Sequence, residues 1–327
     1  MTGTGPYANT STVVGMAIET VPGTAAAAPT IFIPTKAPKI TPTLTQVNVG
    51  ALIGSPVAVI DQIATVRHDL YEFTCLAYVD TLPAFVRGLL GGTDAITGTA
   101  SPYTHKISTL ANSPLTGNQP PKYTFFDWDG FQMRTLAGGQ VDELDFKFTA
   151  TGLVEVTVKV LALPYVASGT APTAVFSTVE PAPSWSVTAS LNAVTTTPIV
   201  DGSLNLKRGS KPVNTLGQQG PLQLYANALE ISGALTVINQ ADTELDLYLA
   251  GTAFPLSLVF SPPTSAGLSF GFQMSRVKFK TGNPERGSDG YITVPLTFQP
   301  LPNATDAGSG GESPILFTAL TAQATTY

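Results

Sequence analysis

Apolar and polar residues alternate with a period of two along much of the chain, and this pattern predicts β-strands. One alternating run covers residues 144–149, and a second covers 154–160 after a Gly-containing turn at 150–152. Two such runs joined by a short turn predict a hairpin with one buried face and one polar face. A later run over 292–298 has the same alternation, and Pro295 within it indicates an edge strand or a bulge.

Helical patterns are short and occur twice. The first predicted helix runs from Thr81 to about Leu90, with Asp80 as its N-cap and Gly91 as its stop. The second predicted helix begins near Thr243 and ends before the next glycine. The chain is therefore predicted to be all-β, with two short helices at the side of the sheets.

Several landmarks occur twice in the same order and predict an internal duplication. Each copy has a Gly-Ser pair, a strand, an Asp-Thr pair that opens the helix, and the tetrapeptide Gly-Phe-Gln-Met. They lie at 54–55, 73–79, 80–81 and 130–133 in the first copy, and at 209–210, 234–239, 242–243 and 271–274 in the second. The expected organisation is an extended N-terminal arm over 1–40, a first domain over 41–165 with a long projecting loop at 93–121, a linker over 166–185 and a second domain over 186–327.

Composition indicates a folded chain that contacts other protein. Charged residues make up 12% of the sequence, against roughly 25% in an average globular protein, while hydrophobic residues make up 43%. The formal net charge is −6 and no basic cluster occurs, which excludes a protein that grips phosphates. Neither a signal-peptide pattern nor an apolar run of about 18 residues is present, so we expect cytoplasmic synthesis and no membrane span.

No group of residues has the pattern of a catalytic or cofactor site, so no enzyme activity and no cofactor are expected. Cys75 lies in an apolar run and is interpreted as a buried small residue. His68 and His105 are assigned structural roles. Asp127 and Asp129 resemble the start of a calcium loop, but the rest of that motif is missing, so a turn is the favoured interpretation.

With this order of elements, the chain resembles the major tail proteins, or tail-tube proteins, of siphophages, in a long form with two tandem tube domains. The stretches that carry the resemblance are 15–25, 32–34, 101–105, 119–124, 183–185 and 204–208. They are structural motifs, and no catalytic residue carries over from the family. The resemblance implies two β-sandwich or barrel-like domains, each flanked by one short helix.

The resemblance also implies a structural virion protein of the phage tail, made in the host cytoplasm. In this family such domains form rings of six, and the rings stack into the tube through which DNA is ejected. A chain with two copies would complete a pseudo-sixfold ring from three subunits, with a hexamer of chains as the alternative. Expected partners are further copies of the chain, other tail proteins, and DNA that passes without specific binding.

Polar residues on the inner sheet, with Asp69, Asp145 and Glu155 as candidates, would then give the lumen a mildly negative lining. Such a lining would repel DNA weakly and let it pass. The alternative for each residue is an ordinary solvated strand face. Other β-rich proteins also fit the composition: a capsid decoration protein, an adhesin, a surface-layer module or, more remotely, a carbohydrate-active enzyme on a β-sandwich.

Overall fold

The computed structural model describes residues 12–50, 58–109, 119–196, 198–240, 242–265, 267–286, 290–308 and 311–327. The first half contains β1 (Val13–Ile18), β2 (Ile31–Ile33), β3 (Thr35–Val49), β4 (Asp61–Leu76), α1 (Leu82–Leu90), β5 (Ala95–Thr97), β6 (Tyr103–Ser108), β7 (Tyr123–Trp128), β8 (Met133–Thr149), β9 (Glu155–Ala162) and β10 (Val166–Ser168). The second half contains β11 (Thr188–Leu191), β12 (Val194–Thr196), β13 (Ile199–Lys207), β14 (Lys211–Val213), β15 (Gln223–Tyr225), β16 (Glu230–Ile238), α2 (Thr243–Ala250), β17 (Phe254–Phe260), β18 (Ser269–Thr281), β19 (Glu285–Arg286), β20 (Ile292–Pro300) and β21 (Leu316–Thr321). The chain is mostly β, as predicted.

Both predicted helices are confirmed. The helix α1 follows Thr81, which is its N-cap in place of the predicted Asp80, and ends at Gly91, whose φ of 82° favours glycine. The helix α2 follows Asp242 and ends at Gly251. Almost all of α1 is buried, whereas no residue of α2 is. Neither helix of the described chain has the length and apolar character needed to cross a bilayer.

Each half contains seven antiparallel pairings in the same arrangement. In the first half they are β1–β2, β1–β7, β3–β4, β4–β9, β7–β8, β8–β9 and β8–β10. In the second half they are β11–β12, β11–β17, β13–β16, β16–β20, β17–β18, β18–β20 and β18–β21. The two halves therefore have one topology.

The registers also agree. In the first half Val141 pairs with Val160 and the next pair comes after a bulge; in the second half Phe279 pairs with Phe298 and a bulge follows at the same place. Farther along, Lys147 pairs with Glu155, and its counterpart Glu285 in β19 pairs with Thr293. The pair β18 and β19 is therefore the counterpart of the single long strand β8.

This register corrects one landmark of the sequence. Residues 130–132 lie in the turn between β7 and β8, whereas residues 271–274 lie inside β18. The structural counterpart of Met274 is Leu136, since these residues pair with Leu256 and Phe125 at equivalent places. The shared tetrapeptide therefore does not mark equivalent positions in the two halves. The landmark at 54–55 lies outside the described residues.

One continuous sheet joins the halves, because residues 143–149 of β8 pair with residues 201–207 of β13. The strand order across the joint is β3–β4–β9–β8–β13–β16–β20–β18. The inward face covers a core that is continuous through both halves. At the joint the ring of Phe146 lies 4.9 Å from that of Phe272, and the ring of Phe148 lies 5.4 Å from that of Phe260.

Three expectations about irregular segments need correction. The expected arm, described from residue 12 onward, contributes β1 and β2 to the core, where Val14 and Met16 are buried. The expected loop at 93–121 contains β5 and β6, and β6 pairs with β21 of the other half; residues 110–118 lie outside the described part. The expected linker contributes β10 and the buried Ala182. These segments pack because their few apolar side chains find partners distant in sequence.

Pro295 is not on an edge strand. Its strand β20 has β16 on one side and β18 with β19 on the other. On the second side β18 pairs as far as Thr297 and β19 begins at Thr293, so no residue of β18 or β19 is paired with Pro295. The missing N–H of proline is thereby accommodated inside a sheet.

Candidate functional site: an open sheet face and two free edges

The outward face of the joined sheet, which we call the open face, is polar. It contains two of the three candidate residues. Asp145 and Glu155 lie on adjacent strands, opposite in orientation to the buried Phe146 and Val156. Asp145 pairs with the Lys147 ammonium at 3.0 Å, and Glu155 pairs with Lys36 of β3 at 2.7 Å. Both ion pairs are largely solvent-exposed and contribute little to stability.

Glu143 extends this network to the joint between the halves. Its carboxylate accepts hydrogen bonds from Lys159 at 3.0 Å and from Asn205 of β13 at 2.9 Å. Burial raises the pKa of Glu143, but these hydrogen bonds and the Lys159 charge outweigh burial, so the pKa is lowered. The open face thus carries interleaved charges of both signs.

Asp69 does not belong to this face. Its side chain shares the inward orientation of Tyr71 and Phe73 in β4, and it is completely buried. Arg67 donates to its two carboxylate oxygens at 3.0 and 2.9 Å, and the backbone N–H of Tyr165 donates at 2.8 Å. Asp69 is therefore a satisfied buried carboxylate that fixes Arg67 and the segment after β9, and it cannot contribute charge to an open face.

The sheet ends in two edges without partners in the described part of the chain. One is the outer edge of β3, which pairs only with β4. The other is the outer edge of β18 and β19 over residues 281–286, which pairs only with β20. Inside the chain the counterparts of these edges, β13 and β8, pair with each other through seven residues. The two exposed edges are therefore equivalent to the two strands that pair with each other at the joint inside the chain, which we call the internal joint.

The strands β3 and β4 extend beyond the sheet as a long hairpin, which we call the hairpin arm (residues 43–49 and 61–67). Exposed apolar side chains lie along it, and Val47 and Ile63, paired across the two strands, are 52% and 53% exposed. In the second half, the connection between β13 and β16 instead contains the small β14–β15 ribbon. Each chain thus has one such arm, and exposed apolar surface of this kind marks an interaction site.

The residues singled out for possible chemistry have structural environments. Burial raises the pKa of the Cys75 thiol to about 12, which makes it unreactive. His105 lies in β6 and not in a loop; its Nδ1 is 3.0 Å from the Asp94 carboxylate oxygens and its Nε2 is 2.8 Å from the Gln323 carbonyl. Asp129 accepts hydrogen bonds from two backbone N–H groups of its turn, which confirms the predicted turn. Within the described residues no three potential metal ligands come together.

Neither free edge was predicted from the sequence. The signal that could have located them is the register of the two copies, but the shared tetrapeptide at 130–133 and 271–274 aligns those copies three residues away from their structural register.

Comparison with known families gives one result. A family model described as phage tail tube protein matches residues 10–300, which is most of the chain. A search of curated proteins finds no match.

Proposed function

The chain belongs to the phage tail tube protein family, a family of structural virion proteins, and we propose that three chains form one ring of a siphophage tail tube. In the ring, the β18–β19 edge of each chain pairs with β3 of the next chain. The single observation that carries the proposal is the internal joint: β8 pairs with β13, and the counterparts of these two strands each have an edge that no described residue pairs with. Unpaired edges template further pairing, and closure into a ring removes them.

The internal joint also supplies the register of the contact between chains. In the internal joint Asp145 lies opposite Asn205, and Lys147 lies opposite Ser203. The equivalent pairs in the contact between chains are Asn283 with Thr41 and Glu285 with Lys39. The second pair places opposite charges across the contact, which favours this register by about 0.2–1 kcal/mol. Pro42 and Pro284 lie in the same segments and lack N–H donors. The contact between chains is therefore weaker than the internal joint, as suits an assembly that forms from separate subunits.

The size of the ring fits a DNA conduit. Eight strands of each chain lie in the joined sheet, so three chains give about 24 strands. At about 4.8 Å between strands and a tilt of about 40°, such a barrel has a diameter of roughly 50 Å between opposite backbones. A duplex can pass through this opening. A ring of six chains would have twice the number of strands and roughly twice the diameter.

In this arrangement the open face lines the bore, and Asp145 and Glu155 belong to the lining. On this face Asp145, Glu155 and Glu143 each form an ion pair with a lysine. Counterion release, which drives phosphate binding, needs free basic side chains, and these lysines are paired with carboxylates. These pairs lower the number of free basic side chains on the lining, which favours passage of DNA during ejection without tight binding.

The hairpin arm provides the contact between rings. Three arms per ring carry exposed apolar pairs such as Val47 and Ile63 beyond the sheet, where they reach the neighbouring ring. Cyclic closure limits each ring, whereas a head-to-tail contact along the axis does not close and gives a filament. The other tail proteins would then meet the two ends of this filament.

The test is a disulfide at one position of the predicted contact. With Thr41→Cys and Asn283→Cys in the same chain, oxidation should join neighbouring subunits, because paired residues bring their Cα atoms to about 5 Å. Non-reducing electrophoresis should show closed trimers, and electron microscopy should show tubes with threefold rings. Cys75 does not interfere, since it is buried.

The control is Thr41→Cys alone, which should remain monomeric on the gel. Tubes of sixfold chain symmetry, or tubes in which the double variant never links, would contradict the proposal.

A further inference from the structure

A cavity of about 350 Å³ lies directly beside the free edge of β3. Its walls come from β3, from the end of β7 and the start of β8, and from Tyr165. The side chains that matter are Ile40 and Pro42 on one wall and Asp127, Asp129 and Arg134 on the other.

In the second half the corresponding place is filled. There the residues Phe146 and Phe148 of β8 pack against Phe272 and Phe260 across the internal joint. Gly202 of β13 provides the space that the Phe148 ring occupies, because a Cβ at this position would lie 2.5 Å from that ring. The internal joint is therefore sealed by aromatic side chains that β8 inserts beside β13.

The strand registers relate the two places residue by residue. Leu258 pairs with Phe272 in the second half, as Asp127 pairs with Arg134 in the first. By the same register Phe260 corresponds to Asp129. The apolar lining of the filled place is thus replaced by three charged residues around the cavity.

Among the described residues, one of these charges forms neither an ion pair nor a hydrogen bond. Arg134 pairs with Asp129 at 2.7 Å. Asp127 is only 5% exposed, and its carboxylate makes no hydrogen bond or ion pair with the described residues. Burial raises the pKa of Asp127 to about 6, with Asp129 adding to the effect and Arg134 opposing it. A buried carboxylate of this kind requires a cationic partner to be stable in its charged form.

The counterpart of Phe148 on the free edge is an arginine. Glu285 corresponds to Lys147 by its pairing with β20, so the next residue, Arg286, corresponds to Phe148. Arg286 is exposed in the single chain. We propose that Arg286 of one subunit enters the cavity of its neighbour and pairs with Asp127, in place of the aromatic seal of the internal joint. This inference rests on the ring contact proposed above.

The exchange of phenylalanine for arginine has a physical reason. Phe148 is buried within its own chain at all times, whereas Arg286 is exposed to water until the ring forms. A charge that points inward from an edge strand prevents indiscriminate sheet extension, because only a partner with a matching buried acid can accept it. The pair Arg286–Asp127 therefore selects the correct edge.

A double-mutant cycle with Arg286→Ala and Asp127→Asn tests the pairing directly. Each single variant should raise the protein concentration needed for tube assembly by at least about tenfold, since each removes one partner of a desolvated pair. The double variant should assemble no worse than the poorer single variant, because the second change removes an interaction that is already lost. Assembly is measured by sedimentation, and circular dichroism checks that each chain is folded.

The matched control is Lys278→Ala, an exposed basic residue of the preceding strand β18 that pairs with Gln299 of its own chain. It should assemble like the unmodified protein. Multiplicative effects of Arg286→Ala and Asp127→Asn would overturn the pairing, as would normal assembly of Arg286→Ala. If the disulfide between Thr41→Cys and Asn283→Cys still forms in that case, the ring proposal stands and only this inference fails. If that disulfide does not form either, the ring contact itself is wrong.

Discussion

At the scale of single residues, Asp127 shows how an assembly contact affects the stability of the free chain. The pKa of its carboxyl is about 6 in the folded chain, above the value of roughly 3.9 in an unfolded chain. The folded state therefore binds more protons than the unfolded state between these values. The stability that Asp127 contributes is present below pH 4 and is lost as pH rises to about 6.

We predict that Asp127→Asn stabilises the unassembled chain at pH 7 by roughly 1–3 kcal/mol, because the buried charge is removed. At pH 4 the advantage should vanish, since the aspartic acid is then also neutral. Urea unfolding of both proteins at the two pH values, below the assembly concentration, measures the difference. Comparison with the unmodified chain cancels other titrating groups such as His68, whose pKa burial lowers. Equal stabilisation at both pH values would show that Asp127 is not charged in the free chain.

At the scale of elements, the hairpin arm separates stacking from ring closure. Val47→Ser with Ile63→Ser removes an apolar pair across the two strands whose side chains are more than half exposed. We predict that this variant still forms threefold rings but no longer extends them into tubes, as judged by electron microscopy and sedimentation. The matched control is Thr45→Ser in the same strand, which should form normal tubes. If the double variant makes full-length tubes, the arm is not the contact between rings.

Elements with local signals could be predicted from sequence, and those that depend on distant partners could not. The β8–β9 hairpin and α1 follow from alternation and from Gly91, which are local properties. The strand β1 was predicted as part of an arm because six residues between glycine- and threonine-rich stretches carry little periodicity. Its burial depends on β7, more than 100 residues later. The cavity at Asp127 was beyond prediction, because its walls come from segments that only the fold brings together.

At the scale of the whole molecule, two strand pairings cross between the halves within the described residues. The first is the β8–β13 joint, sealed by Phe146 and Phe148. The second is made by β6, which pairs with β21 over six residues, and by the C-terminal segment, which packs on the first half. There the Tyr327 backbone N–H donates to Asp94 at 3.1 Å, and the Tyr327 ring lies 5.0 Å from His105.

These two connections predict that the halves unfold together. Loss of either half would expose the aromatic residues that fill the other, so an intermediate with one folded half pays the cost of a large apolar surface. Differential scanning calorimetry of the unassembled chain should show one transition, with calorimetric and van't Hoff enthalpies equal. Phe148→Ala should lower the temperature of that single transition, because it leaves a cavity at the joint. Two separate transitions would mean that the joint inside the chain is no tighter than the contact between chains. In that case the covalent link alone, and not the packing at Phe146 and Phe148, would distinguish the three internal joints of a ring from the three that form on assembly.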